Sequence, residues 1–105
     1  MIAVDFLQAH SLLGFRMAGH AGYAEAGSDI VCAAVSSAAY MAANTLTEVL
    51  HVKPKALRSG EAEFFLRIEE ADSAACSAVL QGLRLHIQEL SKQYPAYIKV
   101  GTVRL

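Results

Sequence analysis

The chain has 105 residues, 54% of them hydrophobic and 18% charged, with a formal net charge of −1. That is one domain with one core, too apolar for disorder and without the basic footprint of an RNA- or DNA-binding module. The low charge implies apolar surface beyond a single core, and a subunit contact would use it.

"IAVDFLQ" alternates Ile2, Val4 and Phe6 against Ala3, Asp5 and Leu7, and predicts a strand. After a short link, "LLGFRMAG" predicts a second, with Leu13, Phe15 and Met17 on one face, so the pair forms an antiparallel hairpin. A glycine- and alanine-rich loop follows from Gly19-His20 to Gly27. Residues 28–50 read as a helix with Val31, Val35, Ala38, Ala42, Thr45 and Val49 on one stripe, apolar most of the way round and so buried on more than one side. "HVKPKALRSGE" breaks the chain at Pro54 and Gly60. "EAEFFLRIEE" then alternates, with Ala62, Phe64, Leu66 and Ile68 inward and Glu61, Glu63 and Arg67 outward. Residues 71–94 predict an amphipathic helix capped by Asp72 or Ser73, its stripe Cys76, Leu80, Leu83, Ile87 and Leu90. "AYIKVGTVRL" is a final strand. The order ββαβαβ predicts an α+β sandwich, two helices on a mixed four-stranded sheet.

"MIAVDFLQAH" lacks the cationic start and apolar run of a secretion signal, and no apolar run approaches the roughly 18 residues that span a bilayer. Two cysteines in that setting are expected as free thiols in a reducing cytoplasm. Cys32 and Cys76 lack CxxC spacing, so neither a zinc site nor another cofactor is expected.

Cys32 falls in the first turn of the predicted first helix, where unsatisfied N–H groups and the helix dipole favour an anion, the form in which sulfur attacks. His20 ends the strand that feeds the loop and can fold back onto that helix start. Together they supply a sulfur nucleophile and a proton shuttle, with helix-start N–H groups as candidate oxyanion donors. A cysteine in an apolar helix can equally be a small core residue. Cys76, on the second stripe, reads as one. His10, His51 and His86 have no partner suggesting catalysis.

The segment "GHAGYAEAGSDIVCAAVS" resembles the signature of the ribosomal-processing cysteine protease family, Prp: Gly-His-Ala, a variable loop, then Gly-x-Asp-Ile-Val-Cys-Ala and a serine one turn later. Chain length, element order and the small-residue first helix resemble that family too. The resemblance implies a cysteine endopeptidase that removes the N-terminal extension of large-subunit ribosomal protein number twenty-seven, cutting after an aromatic residue and before a small one. It implies a catalytic dyad of His20 and Cys32, supporting roles for Asp29 and Ser36, and a homodimer, with no direct nucleic-acid or membrane partner. Asp29 can also be simply the helix cap, and Ser36 can bond either the thiol or the carbonyl four residues back. Gly19, Gly22 and Gly27 would let the loop close over an extended peptide, with Tyr23 and Glu25 as candidate substrate contacts. The competing reading is a non-enzymatic ribosome-assembly factor that holds a ribosomal protein's tail.

Overall fold

The structure, a computed structural model, describes residues 1–25 and 28–105. Strands β1 (Ile2–Gln8) and β2 (Leu12–Ala18) form the expected antiparallel hairpin, pairing Val4 with Met17 and Phe6 with Phe15. Helix α1 (Ile30–Asn44) follows, then strands β3 (Ala56–Ser59) and β4 (Glu63–Arg67), helix α2 (Ser73–Gln93) and strand β5 (Ile98–Arg104). The sheet order is β3-β4-β2-β1-β5; β5 runs parallel to β1 and the other pairings are antiparallel. The class is the expected α+β arrangement of two helices on a mixed sheet, but the sheet has five strands rather than four. The added strand, β3, lies within the stretch read as a breaker. "ALRS" buries no side chain and exists as a strand because its backbone pairs with β4 at the sheet edge.

Period-two alternation in β1, β2 and β4 sends Val4, Phe6, Phe15, Met17, Phe64 and Leu66 to one face. There they meet Val31, Val35, Ala39 and Ala42 of α1 and Cys76, Leu80, Leu83 and Ile87 of α2 in one core. Ala62, expected inward, is exposed, because β4 begins only at Glu63. Phe6, Phe15, Leu66, Leu80 and Ile87 are fully buried, each contributing about 1.5–3 kcal/mol. The surface pairs of Glu63 with Arg16 and Arg58, both at 3.7 Å and half-exposed, add about 0–1 kcal/mol apiece. Apolar packing decides the fold.

Gly14 is a sequence requirement of this sheet. Its φ is +155°, and a Cβ there would collide with the Leu66 carbonyl of β4. The expected α1 stripe fails at its end, where Leu46 is buried and Val49 is 68% exposed. Thr45–Val49 forms a π turn, with Leu50 N–H donating to the Thr45 carbonyl at 2.9 Å. The Thr45 and Thr47 hydroxyls bond the carbonyls of Met41 and Ala43, loosening the turn and rotating later residues off the stripe. Asp72 caps α2 by position, without a side-chain hydrogen bond. The expectation that no segment is apolar enough to span a bilayer is corrected too. Ile30–Val49, 20 residues, has that length and character, although its inner stripe packs into the core.

Candidate active site

Strand β2 delivers the chain to the loop through Gly19, whose φ is +92° and whose N–H donates to the Ala62 carbonyl at 2.9 Å. A Cβ at Gly19 would lie 2.7 Å from the Met1 carbonyl oxygen, so glycine sets the turn that leaves His20 exposed at the loop's start. Ala21 turns back inward and is buried. Its N–H donates to Cys32 Sγ at 3.2 Å. Cys32, the third residue of α1, is half-buried.

Asp29 ties the loop to the helix. Its Oδ1 accepts from the N–H groups of Val31 at 3.0 Å and Cys32 at 2.9 Å, and its Oδ2 accepts from Tyr23 N–H at 3.1 Å. Asp29 is therefore the N-cap of α1 and a clamp on the loop at once. The Cys32 N–H is the main reason its carboxyl lies below the ordinary value of 3.8; burial opposes that shift and Tyr23 N–H adds to it. The Val31 and Cys32 amides, candidate oxyanion donors in the sequence, are thus already engaged. The amide aimed at the sulfur belongs to Ala21, and no side-chain pattern marks it.

His20, Cys32 and Ser36 line one cleft of 110 Å³, bounded by Ile2, Met17 and Phe64 of the sheet and by Gly60, Glu61 and Ala62. Among the described residues no hydrogen bond joins His20 to Cys32. The Ser36 hydroxyl, unlike those of Thr45 and Thr47, bonds neither the thiol nor the carbonyl four residues back among the described residues. Tyr23 packs edge-on against Tyr97 and Tyr94, with ring centroids 5.2 Å and 5.8 Å away. It anchors the loop to the α2–β5 connection. Gly22 has φ +73° in open space. Glu25 is exposed and its carbonyl accepts from Ser28 N–H at 3.0 Å. Gly27 lies outside the described residues.

Sequence reasoning missed Tyr40, which also lines the cleft. The spacing Cys32–Ser36–Tyr40 carries that signal, since residues four apart share a helix face. A larger hollow of 730 Å³ between α1 and α2 is lined mainly by small and apolar residues with His86, and its lining includes no cysteine. Cys76 is fully buried, and burial pushes its thiol up, with the Asp72 charge adding to the effect. It is a core residue. Among the described residues no three His, Cys, Asp or Glu side chains gather to hold a metal ion.

The family described as Cysteine protease Prp matches residues 1–99. This chain belongs to the Prp cysteine protease family. It is accordingly a cysteine-type peptidase. The Ribosomal processing cysteine protease Prp of Bacillus subtilis (strain 168) is 27% identical to it over 110 residues, covering 97% of each chain. Two structures of the essential ribosomal processing protease Prp from S. aureus share its fold. One holds a covalently linked product peptide, with a TM-score of 0.88 and 24% identity; the other holds a substrate peptide, with a TM-score of 0.84 and 22% identity. Each alignment covers 98% of this chain and 100% of the other.

Proposed function

We propose that this chain is a cytoplasmic, cofactor-free endopeptidase that removes the N-terminal extension of large-subunit ribosomal protein number twenty-seven, using Cys32 and His20 as its dyad. The observation that carries the reading is the position of Cys32 and His20 in one cleft, with the Ala21 N–H directed at the sulfur. In this reading His20 takes the proton of the Cys32 thiol, the thiolate Sγ attacks the scissile carbonyl carbon, and the carbonyl π electrons move to oxygen. Collapse of that tetrahedral adduct breaks the C–N bond as His20 protonates the leaving amine. Water, deprotonated by His20, then attacks the thioester and releases the acid product and the free thiol. Asp29 holds the loop bearing His20 against the helix bearing Cys32, and Ser36 offers its hydroxyl to the cleft. The protein acts as a homodimer, whose contact would cover apolar residues exposed on one copy.

The test is incubation of the extended ribosomal protein with wild type, Cys32→Ala and His20→Ala, with the new N-terminus located by mass spectrometry. The expected outcome is a cut after an aromatic residue, abolished by Cys32→Ala and slowed about 10²–10⁴-fold by His20→Ala, the usual range for a general acid–base group. Tight binding without cutting by all three would overturn the reading in favour of a holding factor.

A further inference from the structure

Tyr40 is 50% exposed, and of the large hydrophobic side chains that stand this far into solvent it is the one, among the described residues, that lines the cleft. Its ring is held in place from behind. Phe64 meets it edge-on, with centroids 5.1 Å apart at 90°, and Phe64 in turn stacks on Phe15 at 5.5 Å and 19°. Phe15 is 0% and Phe64 9% exposed. An aromatic ladder thus climbs from the centre of the core and ends in a ring with half its surface uncovered. Such a ring is an anchor with little freedom left to lose on contact.

Its position relative to the nucleophile is set by the helix. Tyr40 lies eight residues after Cys32, about 12 Å along the axis at roughly 1.5 Å per residue. An extended peptide rises about 3.3 Å per residue, so three to four residues cover that distance. We propose that Tyr40 is a specificity residue: its exposed ring receives an apolar, preferably aromatic, side chain of the substrate three or four residues from the scissile bond. The inference rests on the peptidase reading and adds to it a second recognition point, remote from the reacting carbonyl. Contact there continues the Phe15–Phe64–Tyr40 ladder by one ring. The competing account makes Tyr40 only a cover for Phe64, and it predicts lost stability without changed substrate preference.

The test uses blocked octapeptides with phenylalanine before a central alanine, and a second phenylalanine moved through the other positions. Tyr40→Ala is expected to lower kcat/KM about three- to tenfold for the peptide carrying that ring at the third or fourth position, the range of an aromatic pair. The other peptides change little, and Tyr40→Phe behaves as wild type. An equal loss for every peptide, or none for any, would overturn the proposal. Affinities of the same peptides for Cys32→Ala and for Cys32→Ala/Tyr40→Ala separate this inference from the catalytic reading. Position-dependent weakening supports Tyr40 even if wild type cuts nothing; equal affinities, or no binding, overturn it.

Discussion

Asp29 commits one carboxylate oxygen to the helix that carries the thiol and the other to the loop that carries the histidine. Three backbone amides therefore depend on a single side chain, and its charge matters as well as its shape. Because the folded-state carboxyl lies below 3.8, the unfolded chain takes up its proton first as pH falls. The carboxylate's contribution to stability is accordingly present above 3.8 and is lost as pH drops through the lower folded value. Asp29→Asn keeps a capping oxygen but no charge, so its Tm should fall below wild type at neutral pH. The gap should narrow progressively once the wild-type carboxyl protonates, as thermal melts across an acid pH series would record. A gap independent of pH would mean that the charge contributes nothing.

Among elements, the loop between β2 and α1 depends on contacts outside itself. Tyr23 rests on Tyr94 and Tyr97, and each aromatic pair is worth about 0.5–1.5 kcal/mol. Tyr23→Ala and Tyr97→Ala should each loosen the loop and lower kcat/KM, while the double variant loses less than the sum. That coupling, read in a double-mutant cycle of kcat/KM, checks whether the contact holds the site together. None of this was legible in the sequence, because the tyrosines are far apart along the chain and no periodicity links them. The Asp29 cap was legible, since aspartate three residues before Cys32 at a helix start has one local partner set. The alternation of β1, β2 and β4 and the α2 stripe were equally plain, each recording a buried face. β3 and the π turn were hidden for opposite reasons. β3 buries no side chain, while the π turn continues the helix without a break and changes only its phase. At the site, Cys32 and His20 stood out by chemistry, whereas the Ala21 amide is a backbone group available to any residue type.

At the scale of the whole molecule, one core serves both layers, and a defect anywhere in it is shared. Leu80, fully buried in α2 and not among the residues that line the cleft, should cost about 2–5 kcal/mol when cut to alanine, out of a usual total of about 5–15 kcal/mol. Urea unfolding would measure the loss. Peptide cleavage per folded molecule should stay near wild type, and a large drop would mean that the core and the cleft are mechanically coupled. The parallel pairing of β1 with β5 has a different consequence, one of timing. Ile2, a wall of the cleft, lies opposite Ile98, so the first strand of the chain finds its outer neighbour in the last. Contacts of such long sequence separation form late. On the ribosome, the earlier elements emerge with one flank of β1 still bare. The cleft wall at Ile2 therefore gains its outer support only once β5 has been made, well after the Cys32 thiol.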